Sequence, residues 1–468
     1  MIPPRLRRLQ AALEPESGLA LVGGAVRDEL LGRPHADWDL ATALLPEVVM
    51  ARAKAAGLRV IPTGLQHGTV TVMLDEDPVE ITTYRSDGDY LDGRRPATVK
   101  LGVSLEEDLA RRDFTINAMA LPLATGVLVD PHGGQADLRA GVIRAVGDPL
   151  ARFGEDGLRP LRACRFAAQL GFQVEPATLA AIPLRLEVAR RVAVERVFIE
   201  LNKLLLAAQA PRGLDLLDQS GLLDLWLPEL RPMVGCGQNR HHRHDVWTHT
   251  LEVIRHVPAE PGLRWAALLH DAGKPASKTE DARGEAHFYG HEGHSLTLAE
   301  GLLSRLKASG ALTREVLALV RHHGTHPETG WSDAACRRLL RRLAADDLDL
   351  AHWAAFRWAD QRAKGLEDPE RDPRHRAIIE RLERLASQHP PLSVRALALD
   401  GAALMAMAGR KGGPWLGALQ AELLEAVLED PALNTAEALA PLAKAVLERL
   451  SPAGSAPPPG RRGPRPGR

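Results

Sequence analysis

Residues 21–42 read LVGGAVRDELLGRPHADWDLAT, and the order of residue types in this stretch decides the fold. A short apolar β run, Leu19 to Val22, leads into Gly23 and Gly24, and a helical pattern follows them. Glycines after a strand and before a helix let backbone amides and the helix N-terminus approach a phosphate closely. Thirteen residues beyond Gly24 comes Asp37-Trp38-Asp39. In a strand, residues i and i+2 share a face, so both carboxylates are expected to project together toward the glycine turn. Two like charges held that close are costly without a cation, which points to a divalent metal, expected to be Mg²⁺. Beside the glycine turn, the pair predicts a metal-triphosphate site.

Working outward, GTVTVML and VEITTY alternate as strands do, joined across an acidic tight turn from Asp75 to Pro78. Glu80, in the second run, is a candidate third carboxylate. Ser104 and Glu107 form a capping box that opens a helix. Beyond it the chain is mostly helical, with apolar residues at three- and four-residue spacing in 155–170, 194–208, 247–257, 296–308, 334–344 and 417–428. The expected class is therefore α+β: a small mixed-sheet head followed by helical neck, body and tail. The Pro/Gly/Arg-rich end from Ser451 has nothing to bury and is expected to be a disordered basic tail.

At 468 residues, 45% hydrophobic and 25% charged, the chain is too long for one compact domain. Three widely spaced cysteines, Cys164, Cys236 and Cys336, make no disulfide framework, so a reducing cytoplasm is expected. No run approaches the 18 apolar residues of a membrane span, and the start lacks a signal-peptide core. Basic and acidic residues nearly cancel, 59 against 60, so a nucleic-acid partner has to be argued from local sites.

One such site is expected on a helix from Glu155, where Asp156, Arg159, Arg162 and Arg165 recur at three-residue spacing. Three arginines beside one aspartate leave a cationic excess suited to phosphate or a base edge. A carboxylate only accepts hydrogen bonds and a guanidinium only donates them. Cytosine and adenine each present an exocyclic amine beside an unprotonated ring nitrogen, so Asp156 can accept from the amine while Arg159 donates to the ring. Guanine and uracil present the reverse order and leave both side chains unpaired, which costs more than a poor apolar fit. Pro160 falls in the first turn of this helix and is expected to shift it.

Taken together, GGAVRD…DWDLAT, RRDFTINA (Arg111 to Ala118) and GEDGLRPLRACRF (Gly154 to Phe166) resemble the class II tRNA nucleotidyltransferase and bacterial poly(A) polymerase family. The resemblance implies that Asp37 and Asp39 hold catalytic metals and that Gly24, Arg27 and Arg112 hold the incoming nucleotide, with Arg162 and Arg165 as further nucleotide contacts. It implies CTP and ATP as substrates and a tRNA 3' end as partner, with no membrane. Two-metal phosphoryl transfer needs carboxylates, arginines and no covalent nucleophile, which these residues supply.

A second constellation lies in the helical half. HDVWTHT (His249), LLHDAGK (His270, Asp271) and FRWADQR (Asp360) resemble the HD phosphohydrolase pattern. Imidazole and carboxylate ligands suit a divalent transition metal. His291 or His294, with His322 or His323, is a candidate second set, whereas His241, His242, His244 and His326 read as surface or satisfied residues.

The expected divisions are a catalytic head at 1–140, a neck at 141–232, an HD domain at 233–388, a helical tail at 389–450 and the basic end at 451–468. The expected function is addition of C and A to tRNA with pyrophosphate release, with an HD phosphatase or phosphodiesterase activity beside it. CC-only addition, A-only addition and poly(A) synthesis are the alternatives within the class. A metal phosphohydrolase with an RNA-binding N-terminal module is the alternative outside it. Switching from C to A requires a mobile element, which the family places between the carboxylates and Arg112. The interval from Arg85 to Pro96, with Gly88, Gly93, Asp92, Arg94 and Arg95, is long enough to supply it and favours complete CCA addition.

Overall fold

The structure is a computed structural model that describes residues 3–34, 38–88, 99–240, 242–365 and 373–450. Asp37, most of the Arg85–Pro96 interval and the basic end from Ser451 therefore lie outside the described residues. The chain forms two compact units, 1–320 with 363–366, and 321–362 with 367–468.

The first unit opens with helix α1 (Pro4–Leu13), strand β1 (Ala20–Val22), α2 (Gly24–Leu30), β2 (Asp39–Thr42), α3 (Pro46–Ala55), β3 (Arg59–Ile61), β4 (Thr69–Leu74) and β5 (Asp77–Thr83). A short antiparallel pair, β6 (Arg85–Asp87) and β7 (Val99–Leu101), precedes α4 (Leu105–Ala110) and β8 (Ala120–Pro122). The main sheet runs β3-β4-β5-β2-β1-β8. It is antiparallel except where β2 lies parallel to β5, and that pairing sets Asp39 beside Glu80. Alternation produces the strands: Val70, Val72 and Leu74 of β4 are buried, as are Val79 and Ile81 of β5. The β4-β5 turn is tighter than the sequence suggests. It is only Asp75-Glu76, with Asp75 at φ 58°, and Pro78 lies inside β5. The Ser104 capping box forms as expected, with Glu107 N–H donating to Ser104 Oγ at 3.2 Å and Ser104 N–H to Glu107 Oε2 at 2.9 Å.

Beyond α5 (Gly134–Ala140) and β9 (Val142–Ile143), the expected single helix from Glu155 is instead two: α6 (Pro149–Glu155) and α7 (Arg159–Leu170). Asp156 takes an extended conformation in the break, φ −135° and ψ 113°. A side chain at Gly157 would collide with Val188 O, so only glycine fits in the break. Pro160 lacks the N–H an interior turn needs and is tolerated only in the first turn, where α7 places it. Helices Val194–Leu205 and Ala210–Gln219 pack on α7, the latter so closely that a Cβ at Gly213 would lie 2.9 Å from Ala168 Cβ.

The same unit carries the helices Val246–His256, Pro261–Leu269 and His291–Arg305 and a small hairpin, Thr279–Glu280 with Ala286–His287. The second unit is helical, with a core of leucines that includes Leu404, Leu419, Leu428 and Leu439. Among the described residues no helix is long and apolar enough to cross a membrane.

Candidate nucleotide site and histidine-aspartate cluster

A cleft of about 420 Å³ opens beside the end of β2. Gly23, Gly24 and Asp39 line it with seven arginines: Arg27, Arg111, Arg112, Arg159, Arg162, Arg165 and Arg196. Asp113 and Asp156 are the other acids in its wall, so the site is strongly cationic. Gly23 sits at φ 67°, and a Cβ there would lie 2.7 Å from Arg112 Nη1. The backbone there, φ 67° and ψ −131°, is one that only glycine adopts readily, while Gly24 opens α2 with its N–H in the first turn, the geometry that suits an anion.

Buried acids hold the arginines in place. Asp108, 1% exposed, accepts from Arg111 Nε and Nη2 at 3.1 and 2.9 Å and from Arg112 Nη2 at 3.1 Å. Asp113 accepts from Arg162 Nε at 2.7 Å and from Asn117 Nδ2 at 3.1 Å. Asn117 Oδ1 in turn accepts from Arg27 Nη1 at 2.8 Å. Glu200, from helix Val194–Leu205, lies 2.5 Å from Arg165 Nε. The guanidinium carbons of Arg27, Arg162 and Arg165 stand 5.1, 5.3 and 3.9 Å from the Phe166 ring centre, a cation-π cluster around one aromatic ring.

Asp156 and Arg159 both line the cleft, and each is already held by partners of its own, only some of them local. Asp156 accepts from Leu158 N–H at 2.9 Å and from Arg196 Nη2 at 3.0 Å. Arg159 pairs with Glu155 and donates to the backbone oxygens of Arg152 and Arg111, both at 2.8 Å. Sequence reading missed Asp108, Asp113, Asn117, Arg196 and Glu200. Asp113 and Asn117 stand inside RRDFTINA and could have been picked out there, whereas nothing local marks Arg196 or Glu200.

Burial raises the pKa of Asp108 and Asp113, but the adjacent guanidiniums outweigh it and both carboxyls are held below the usual range. A depressed folded pKa stabilises the fold above the unfolded value, and that stability is lost as pH falls through the folded value. Urea midpoints are therefore expected to hold from pH 7 to about 5 and to fall below about pH 4. Asp113→Asn should lower stability at pH 7 by about 3–5 kcal/mol, because Arg162 loses its buried partner, and should flatten the acid limb. An unchanged acid limb would remove Asp113 from this role.

In the histidine half, His249, His270 and Asp271 are all buried. His270 Nδ1 donates to Ala267 O at 2.9 Å, which in the neutral ring leaves Nε2 as an acceptor facing Asp271 Oδ2 at 3.1 Å. His291 repeats the arrangement, with Nδ1 2.9 Å from Phe288 O and Nε2 3.4 Å from Asp271 Oδ1. His249 Nε2 is 3.6 Å from Asp271 Oδ2. Acceptors facing acceptors require a proton or a cation between them, and a backbone carbonyl fixing the far ring nitrogen is the support metal-binding histidines use. The donor set therefore fits a transition metal. Lys274 Nζ also reaches Asp271 Oδ2, at 2.7 Å. Burial alone would raise the Asp271 carboxyl, yet His270 and Lys274 hold it well below the usual range.

Asp360 and His323 are buried within the second unit. There His322 Nε2 is 2.7 Å from Asp346, and His326 Nδ1 is 2.9 Å from Arg357. His294 is exposed, and His242 is satisfied by Asn239 at 3.1 Å. Burial and Lys274 push His242 down to about 3, so it is neutral.

A strand-turn-helix with an aspartate at the neighbouring strand end, facing an arginine-lined cleft, defines a nucleotidyltransferase head. Three family models match in order: Poly A polymerase head domain over 19–144, probable RNA- and SrmB-binding site of polymerase A over 171–233, and HD domain over 246–381. The A-adding tRNA nucleotidyltransferase of Deinococcus radiodurans is 37% identical over 439 residues, 89% of this chain and 92% of that one. The CCA-adding enzyme of Geobacillus sp. strain WCH70 is 34% identical across 89% of this chain and 90% of its own. The match to the Geobacillus stearothermophilus CCA-adding enzyme is 47% identical but spans 60% of that relative's length. The crystal structure of the Bacillus stearothermophilus CCA-adding enzyme in complex with CTP superposes with a TM-score of 0.69 at 27% identity, covering 96% of this chain and 98% of that one. The chain belongs to the tRNA nucleotidyltransferase and poly(A) polymerase family.

Proposed function

We propose that this protein adds C, C and A to the 3' end of tRNA from CTP and ATP, releasing pyrophosphate. The observation that carries the reading is a single cleft joining Asp39, at a strand end, to Asp156 and Arg159 across a floor of arginines. We assign magnesium to Asp37 and Asp39, with Glu80 beside Asp39 in register. An all-carboxylate oxygen set at a solvent-exposed strand end fits a hard cation. When bound, the metal supplies Lewis-acid stabilisation of the charge on the transferring phosphoryl group. Gly24, Arg27 and Arg112 bind the triphosphate, with Arg162 and Arg165 behind them. Asp113, Asn117 and Asp108 fix those guanidiniums, so the positive field is set before substrate arrives.

Asp156 and Arg159 form the template for C and A. Asp156→Ala and Arg159→Ala are each expected to reduce discrimination against GTP and UTP by about 10²-fold or more, with a smaller loss in the rate for CTP. The check is kcat/KM for the four nucleotides. GTP and UTP staying fully excluded in both variants would overturn the template.

A-only addition is the second reading, favoured by the 37% identity to the Deinococcus enzyme over most of both chains. A tRNA ending before the CCA, offered CTP and then ATP, separates the two. Completion to CCA is expected. Refusal of CTP with acceptance of ATP on a CC-ended tRNA would establish A addition.

We further infer a metal-dependent phosphohydrolase site in the HD region, with His249, His270, Asp271 and Asp360 as ligands of a divalent transition metal. There water adds to phosphorus, the bond to the leaving alcohol oxygen breaks, and that oxygen takes up a proton. We place the divisions at 1–140, 141–232, 233–388 and 389–450. We infer a reducing, cytoplasmic setting from three free thiols.

A further inference from the structure

Trp38 stands in sequence between the two aspartates assigned to magnesium, yet its side chain belongs to the other face of the sheet. Residues two apart on a strand share a face, so Asp39 goes with Ala41 and Trp38 with Leu40. Asp39 accordingly lines the cleft. Trp38 lines a separate cavity of about 230 Å³, with Leu6 of α1, Leu21 of β1, Leu121 of β8 and the neighbouring Leu123. Leu21 pairs in register with both Leu40 and Leu121, so this apolar face runs unbroken across β2, β1 and β8.

Backbone pairing holds β2 only from Asp39 onward. The parallel register with β5 begins at Asp39, opposite Glu80, and the antiparallel register with β1 ends at Leu40. Trp38 precedes that ladder and is half-buried. Its indole is gripped from two sides, by the leucines of the sheet and by α1, where Arg5 Cζ lies 5.8 Å from the ring centre. Arg5 is itself paired to Asp77, the first residue of β5. An exposed carboxylate gets little help from packing, so the place of Asp39 is set by the backbone on either side of it.

We propose that Trp38 is a positioning residue for nucleotide addition: its indole, anchored on the far face of the sheet, fixes the backbone that presents Asp39 to the metal. This rests on the reading of Asp39 as a metal ligand. Groups that orient a metal ligand typically carry about 10–100-fold in metal affinity or activity. The arginines of the cleft do not depend on the indole, because Arg27, Arg112 and Arg162 are held by Asn117, Asp108 and Asp113. The effect of losing it therefore falls on metal binding and kcat, and spares KM for CTP.

The test uses the full-length protein and Trp38→Leu, which keeps an apolar side chain and removes the ring. Mn²⁺ binding, followed by electron paramagnetic resonance, gives a readout apart from activity. The class of Mn²⁺ sites that Asp39→Ala removes identifies those of the head. Trp38→Leu should weaken that class about tenfold and lower kcat about tenfold or more, with KM for CTP within about twofold of wild type. Trp38→Phe, which restores a flat ring, should recover most of both. Val49→Ala, which removes buried volume from α3, should lower the melting temperature without weakening Mn²⁺ binding. Arg5→Gln should weaken Mn²⁺ binding about two- to fivefold through the lost cation-π contact. If Trp38→Leu does not fold, an unchanged affinity in Arg5→Gln overturns the proposal. Wild-type Mn²⁺ affinity and kcat in folded Trp38→Leu, with the class still absent in Asp39→Ala, would overturn the positioning role and leave the metal assignment standing. Asp39→Ala binding Mn²⁺ as wild type does would remove the metal assignment and the positioning role with it. Equal weakening in Trp38→Leu and Val49→Ala would reduce the indole to a contribution to folding and overturn the role.

Discussion

Asp39→Ala is expected to lower kcat/KM for nucleotide addition by at least about 10³-fold, the loss of roughly 4 kcal/mol of transition-state stabilisation. The melting temperature should change by no more than a degree or two. The size follows from chemistry and position together. The carboxylate stands at the exposed first residue of β2, so its removal takes away the metal ligand proposed there and leaves no cavity. Its neighbour in register, Glu80, cannot replace it, because two-metal transfer needs carboxylates on both ions at fixed separation. Pyrophosphate release with CTP and a tRNA lacking its end measures the effect, and calorimetry controls for folding. Asp37→Ala should behave the same way. Either variant adding nucleotides at near wild-type rate would sink the two-metal assignment.

The second large effect is expected in the other half of the chain. A His270→Ala, Asp271→Ala double substitution should abolish hydrolysis of 2'-phosphate or cyclic 2',3'-phosphate ends and reduce bound transition metal to background by elemental analysis. Nucleotide addition should stay within about twofold of wild type. The two sites share no residue, and distant, independent sites combine additively. His270 and Asp271 are both buried, so some loss of stability is expected from the cavity and from the unpaired Lys274. His270→Gln, which keeps side-chain volume and removes a strong ligand, separates that loss from the chemistry. Full metal content in the double variant would return these residues to a structural role.

Much of this was legible along the chain because it is local. Alternation in β4 and β5, the glycine pair before α2, the Ser104 capping box and the density of histidines near Asp271 are all short-range patterns with a direct physical cause. The helix from Glu155 shows where local reading fails. Three-residue spacing through Asp156, Arg159, Arg162 and Arg165 looks like one continuous face. Pro160 cannot stand inside a continuous helix, so α6 ends at Glu155 and the chain restarts at Arg159.

What the sequence by itself determined is the set of chemical groups and their order: carboxylates after a glycine turn, a cluster of arginines further on, then histidines with an aspartate. What only the tertiary structure decided is which distant side chain holds which cation. Arg27 meets Asn117 across 90 residues, Arg162 meets Asp113 across 49, and Arg196 meets Asp156 across 40. Such pairs have no period, because a helix or strand repeat reaches only a few residues. They form where packing of the sheet, α7 and the helix Val194–Leu205 brings buried charges within hydrogen-bond distance, and an unpaired charge buried there would cost too much to remain.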